Sequence, residues 1–234
     1  MSDFGTALIF FVAFLCIAFL RTGDLPSIVM ITAAAGFAGG IVLRFKPYVL
    51  ARFAVWRHAW EYAQEEGYQQ TRTMSAVASG GLFGAGPEEA WLKYVGAANT
   101  DLVFGVVSEE FGLLLALCAA AAVILLGIYA LRAAGRSRSS FYAIAACATA
   151  AMLVFQTTLN VLGSVDLLPL TGVTFPFVSM GGSSMLSCWG LLAYLQAAAP
   201  PPVSAKAAPK APAPAVKPPQ ATGFLDELEV ATDD

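Results

Sequence analysis

Charge is what this sequence has least of. Only 12% of its 234 residues are charged and 58% are hydrophobic, against about 25% charged in a typical soluble domain. With a mean hydropathy of +0.69, that balance excludes an ordinary soluble enzyme and points to an integral membrane protein. Histidine is nearly absent: His58 stands alone among aromatic residues, no Ser or Cys nucleophile pairs with it in sequence, and it reads as structural. The four cysteines, Cys16, Cys118, Cys147 and Cys188, lie singly within apolar stretches. Without CxxC or metal-ligand spacing they support neither a disulfide framework nor a zinc site and are expected to be packing residues. No basic region precedes the first apolar segment, so no cleavable signal peptide is visible. The net charge of −3 is concentrated rather than spread. Asp226, Glu227, Glu229, Asp233 and Asp234 close the chain and leave the body slightly basic. No nucleic-acid partner is expected.

Five apolar stretches approach the roughly 20 residues that a helix needs to cross a bilayer: residues 4–20, 28–43, 102–131, 141–162 and 178–196. The second is short, but Ala33, Ala34, Ala35, Gly36, Ala38, Gly39 and Gly40 suit close helix packing in lipid. Backbone groups in hydrocarbon must be satisfied within their own segment, so the expected class is all-α, a polytopic transmembrane helix bundle of about five spans. From 200 to 220 the chain is almost wholly Pro, Ala, Lys and Val and cannot bury a core. The expected division is therefore a transmembrane domain, 1–199, and a disordered tail, 200–234. The tail ends in a short acidic and apolar segment, 223–230, that is either solvated or a docking peptide.

The long polar segment, about 44–100, is the expected place for chemistry. Its first part carries Tyr48, Phe53, Trp56 and Trp60 beside Arg52 and Arg57, as an interfacial helix with aromatic anchors and snorkelling arginines would. Its later part holds Gly80, Gly81, Gly84 and Gly86 and should be loop or broken helix. Arg132, Arg136 and Arg138 form a short loop without acids and read as cytoplasmic by the positive-inside rule. Although Arg44, Lys46, Arg52 and Arg57 are basic too, Glu61, Glu65, Glu66, Glu88 and Glu89 offset them. The long segment is then outside, and the C-terminal tail is cytoplasmic.

Asp101 stands where the third apolar stretch begins. On a continuous helix Ser108 would fall within about 20° of its face, and Glu109 about 80° round from it. Glu109 and Glu110 lie within the apolar stretch, where a carboxylate is either functional or bonded between helices. Gln156 and Asn160, four apart, share a face and serve equally as interhelical glue or as a site. Residues 168–184 carry Pro169, Pro176, Gly172, Gly181 and Gly182 among the hydroxyls of Thr171, Thr174, Ser179, Ser183 and Ser184. That is either a tight turn or a broken backbone whose free N–H groups could face a polar or anionic ligand.

At these motifs the chain resembles the SEDS family (FtsW, RodA, SpoVE), membrane enzymes that polymerise peptidoglycan from lipid II. Asp3-Phe4-Gly5-Thr6-Ala7-Leu8 is similar to the family's P-D-L-G-T-A. Gly67-Tyr68-Gln69-Gln70, with Ala76 and the glycine run 80–86, is similar to a stretch of the family's large external loop. Thr100-Asp101-Leu102-Val103-Phe104 with Glu109-Glu110-Phe111-Gly112 resembles H-T-D-F-I-F…E-E-L-G. Gln156 and Asn160 fall at Q-x-x-x-N, and residues 168–184 resemble L-P-x-T-G-x-x-x-P-x-x-S-Y-G-G-S-S. Together these blocks cover roughly residues 3–196.

The resemblance implies a multi-pass protein of the bacterial cell membrane, with the 44–100 loop outside. It implies a peptidoglycan glycosyltransferase of cell division or elongation, with Asp101 as its catalytic carboxylate. Implied substrate-binding residues are Gln69, Arg72, Thr100, Glu109, Gln156, Asn160, Thr171, Ser179, Gly181, Gly182, Ser183 and Ser184. Lipid II would be the substrate, and a class B penicillin-binding protein and division or elongation proteins the partners. Positive charge for the leaving pyrophosphate could come from Arg52, Arg57, Arg72 or Lys93, or from a divalent cation such as Mg or Mn; no other cofactor is implied. Asn99 replaces the family's usual histidine, Met180 its tyrosine, and the stretch before Asn99 lacks the usual L-P-E. Members have about ten spans, and this chain begins within the motif that opens the sixth. It is expected to be a fragment, one half of a split protein, or a remnant. Two other functions fit the residues: a lipid-linked precursor flippase using Glu109, Gln156 and Asn160, and an inactive scaffold.

Overall fold

The computed structural model describes residues 4–45, 47–137 and 139–198. Asp3, Lys46, Arg138, the 200–234 tail and the side chain of Tyr48, each part of an expectation above, lie outside the described residues. Eight α-helices follow one another among the described residues: α1 Phe4–Thr22, α2 Leu25–Phe45, α3 Pro47–Val55, α4 Tyr68–Gly80, α5 Val103–Phe111, α6 Leu113–Arg136, α7 Ser140–Ser164 and α8 Gly182–Ala198, with a 3-10 turn at Leu92–Tyr94 between α4 and α5. No strand occurs among the described residues, and the all-α class holds.

Among the described residues, three helices are long and apolar enough to cross a membrane: α1, α6 and α7. The apolar part of α2, Leu25–Ile41, is shorter, and α8 has 17 residues. The expected stretch 102–131 is two helices, because Gly112 breaks it at φ 93°, a backbone conformation that side-chain-bearing residues seldom adopt. The interfacial helix is also shorter than expected. It stops at Val55, and Trp56 and Trp60 lie in the turns beyond it.

Local chemistry explains the α1–α2 corner. Gly23 at φ 65° ends α1, its N–H donating to Phe19 O at 2.8 Å. Asp24 then accepts the Ser27 N–H at 3.2 Å, and Pro26 sits in the first turn of α2, where no intrahelical donor is needed. Most of α2 is exposed.

At the centre, α7 packs against α6 and α1, and α5 against α4 and α6. Small residues permit these contacts. A Cβ on Gly127 of α6 would lie 2.6 Å from Val154 Cγ2 of α7, and one on Gly80 of α4 would lie 2.1 Å from Ser108 O of α5. The buried cluster of Val103, Phe104, Ala116, Ala120, Val123, Leu153, Phe175 and Cys188 ties α5, α6, α7, α8 and the 168–181 segment together. Ile9 of α1 packs with Leu159 of α7 and with Val173, so the start of α1, the start of α6, the end of α7 and the start of α8 meet at one end of the bundle, beside α5.

Candidate functional site

The polar residues of α7 hold the irregular segment that follows it. Gln156 Nε2 donates to both the carbonyl and the hydroxyl of Thr174 at 2.9 Å. The Thr174 hydroxyl in turn meets Ser184 Oγ at 2.8 Å. Asn160 is buried, and its Nδ2 donates to Asp101 O at 2.9 Å and Val173 O at 2.7 Å. Ser179 Oγ accepts from Phe175 N at 2.7 Å and donates to Thr100 O at 2.6 Å, while Met180 N donates to Asn99 O at 2.9 Å. The 168–181 segment is thus clamped along residues 99–101. The two positions that depart from the motif pattern, Asn99 and Met180, are themselves a bonded pair.

This clamp places the Asp101 carboxylate. Gly172 sits at φ 71°, and a Cβ there would lie 3.1 Å from Asp101 Oδ2 and 3.6 Å from Arg52 Nη1. A carboxylate and a guanidinium from distant parts of the chain therefore converge where residue 172 has no side chain. Arg52 comes from α3 and also donates from Nη1 to Leu170 O. The other three cations named from sequence are placed differently. Arg72 stacks over Tyr68 and Trp91, at 5.2 and 5.9 Å from the ring centroids. Lys93 donates to Pro87 O, and Arg57 is an exposed turn residue at φ 65°.

Two residues that sequence reasoning missed, Gln70 and Asp166, hold α4 and the turn after α3 against the end of α7. Gln70 Nε2 donates to Gly163 O at 2.8 Å and to Asp166 Oδ1 at 3.0 Å. Asp166 Oδ1 also accepts Arg57 N at 3.0 Å, and Trp56 Nε1 donates to Leu167 O at 3.2 Å. Gln70 had a signal, its place in the Gly67–Gln70 motif beside Gln69; Asp166 had none.

The other named residues divide. Gln69 donates to Gly96 O at 3.2 Å. Thr171 Oγ1 and Asn160 Oδ1 are buried without a hydrogen-bond partner. Gly181, Gly182 and Ser183 form the entry to α8, with Met185 N donating to Gly181 O at 2.8 Å. Glu109 is 1% exposed, and its two oxygens accept the N–H groups of Trp91 at 3.2 Å and Leu92 at 3.0 Å. It holds the 3-10 turn in place. The helix-face relation expected between Asp101, Ser108 and Glu109 does not exist, because Asp101 lies in the turn before α5 begins.

No group of three or more His, Cys, Asp or Glu side chains able to hold a metal ion is found among the described residues.

The family model described as "Cell cycle protein" (FtsW/RodA/SpoVE) matches residues 1–200. The chain belongs to the FtsW/RodA/SpoVE family. Similar relatives include "Peptidoglycan glycosyltransferase RodA" of Mycobacterium leprae, 34% identical over 197 residues, covering 83% of this chain and 42% of the relative. Another is "Probable peptidoglycan glycosyltransferase FtsW" of Dichelobacter nodosus, 32% identical over 189 residues, covering 79% of this chain and 48% of the relative. The chain thus spans about half the length of the curated relatives it matches. A solved structure described as "Structural coordination of polymerization and crosslinking by a peptidoglycan synthase complex" shares the fold, with a TM-score of 0.63 at 24% identity, over 83% of this chain and 55% of that one. As a member of the FtsW/RodA/SpoVE family with several membrane-length helices, the chain is a multi-pass membrane protein.

Proposed function

We propose that this chain carries the sugar-transfer site of a peptidoglycan glycosyltransferase that polymerises lipid II. The observation that carries the reading is the convergence of Asp101 and Arg52 on Gly172, within a segment clamped from both sides. Joining two lipid-linked sugars requires a base for the attacking hydroxyl and positive charge for the departing pyrophosphate. The Asp101 carboxylate accepts the proton of the acceptor hydroxyl, the freed oxygen attacks the anomeric carbon of the donor, and the bond from that carbon to the pyrophosphate breaks. Arg52 is placed to meet the charge that develops there.

The same reading puts the site and the 44–100 segment on the outer side of the membrane. Supporting it, Cys16, Phe19 and Leu20 of α1 line one apolar groove with Ile128, Leu131 and Cys147 of α6 and α7. The end of α1 bearing Arg21 therefore lies at the same end of the bundle as Arg132 and Arg136, away from Asp101, which agrees with a cytoplasmic basic end. A class B penicillin-binding protein and division or elongation proteins are the proposed partners, and the tail is assigned to the cytoplasm. A flippase path through Glu109, Gln156 and Asn160 has less support, because each already bonds backbone groups.

The test is polymerisation of lipid II by the reconstituted protein, co-expressed with the remaining spans of the family fold. Asp101→Asn and Arg52→Gln are each expected to abolish polymer while the protein stays folded. Polymer made at the normal rate by Asp101→Asn would reject the assignment.

A further inference from the structure

The glycine run between α4 and the 3-10 turn takes no part in the proposed chemistry, yet it is tied closely to the break between α5 and α6. Gly81 O accepts the Leu113 N–H at 2.9 Å and Leu82 O accepts the Leu114 N–H at 3.3 Å. Those donors open α6 and have no partner within the helix. In return, Ala85 N donates to Glu109 O at 2.8 Å and Gly86 N to Glu110 O at 3.2 Å, filling carbonyls at the end of α5. The approach is as close as backbone allows. A Cβ on Gly112 would lie 2.3 Å from Leu82 O, and one on Gly84 would lie 2.4 Å from Glu110 O.

A loop in water has no need of such complete backbone pairing, whereas irregular backbone at membrane depth does. The side chains point the same way. Residues 80–86 contain no charged or polar side chain. Leu82 and Phe83 are 62% and 83% exposed, beside Phe111 at 52%, Leu114 at 57% and Leu115 at 50%. Farther along α6, Leu117, Ile124 and Leu125 are exposed too, on a helix long and apolar enough to span the bilayer. The patch around Leu82 and Phe83 ends at Pro87, Glu88 and Glu89, which are exposed and mark the return to water.

We propose that residues 80–86 form a membrane-embedded wedge, with Leu82 and Phe83 inserted among lipid acyl chains in the leaflet that holds the start of α6. The occupant of the patch is the bilayer itself. The wedge fixes the depth of α5, and with it the height of Asp101 above the acyl chains. The inference rests on α6 being a span and does not depend on the sugar-transfer reading.

Phe83→Trp tests it. The position is exposed and the ring is retained, so folding should be unaffected. The variant and its parent are reconstituted in phosphatidylcholine–phosphatidylglycerol vesicles, and the added emission is taken as their difference. The expected result is blue-shifted emission that loses most of its intensity in vesicles of dibrominated phosphatidylcholine and is insensitive to aqueous iodide. Red-shifted emission quenched by iodide would overturn the wedge. Emission that neither quencher reaches would overturn it too, because the patch would then be covered by protein, such as a second copy of the chain.

Discussion

Replacing Glu109 with Gln separates a structural from a functional carboxylate in this chain. Glu109 is 1% exposed, and both oxygens accept backbone N–H groups, from Trp91 at 3.2 Å and Leu92 at 3.0 Å. Bonds to a carboxylate contribute about 1.5–3 kcal/mol each. Gln keeps one neutral acceptor and turns its NH2 toward the second donor, leaving one buried N–H unpaired. The net loss is therefore about 2–4 kcal/mol. A chain of this size shifts by about 2–4 °C per kcal/mol, so the midpoint should fall by roughly 5–15 °C. The assay is thermal unfolding of the purified variant and parent in the same detergent, followed by polymerisation of lipid II below both midpoints. Glu109→Gln should polymerise at near the parental rate once corrected for folded protein. An unchanged midpoint with polymer lost would refute the reasoning and return Glu109 to the substrate.

Gly172→Ala should leave the midpoint within a few degrees yet lower polymerisation sharply, because its methyl would stand 3.1 Å from Asp101 Oδ2 and 3.6 Å from Arg52 Nη1; equal loss in both readouts would contradict this. Asn160→Leu removes the donor from two carbonyls, those of Asp101 and Val173. It should cost about 2–4 kcal/mol in denaturant titration, whereas Asn160→Asp should cost less only if its protonated form can donate. Gly5→Ala puts a methyl 2.2 Å from Val173 Cγ2 and should cost about 1–3 kcal/mol by overpacking, with accelerated proteolysis of the 168–181 segment as the readout.

How much of this was legible depends on how far apart in sequence the partners lie. The helical class and the position of the irregular 168–184 block followed from apolar run length and from Pro169, Gly172 and Pro176, which act locally. The break at Gly112 was legible in principle. A glycine after Glu109-Glu110-Phe111 is a breaker signal, but the apolar residues on both sides mask it and favour a continuous helix from Asp101 onward. Glu109 looked functional because a carboxylate among apolar residues is anomalous. Its amide partners, Trp91 and Leu92, follow an irregular turn that no periodicity foretells. Arg52 was one of four candidate cations in sequence, and only the 118-residue return of the chain to Leu170 singles it out. Asp166 carried no signal, since its role exists only once Gln70 and Arg57 fold against it.

Sugar transfer on a lipid-linked precursor outside the cell requires Asp101 to face the outer aqueous boundary. Asn99→Cys probes this most directly, since residue 99 is exposed and bonds only through its backbone carbonyl in the contacts described above. Intact cells are treated with a membrane-impermeant maleimide, with the parent chain and its four native cysteines as the control. Labelling of the variant, and not of the parent, is expected before the membrane is opened. Labelling that appears only after permeabilisation would place the site on the cytoplasmic side and contradict that expectation.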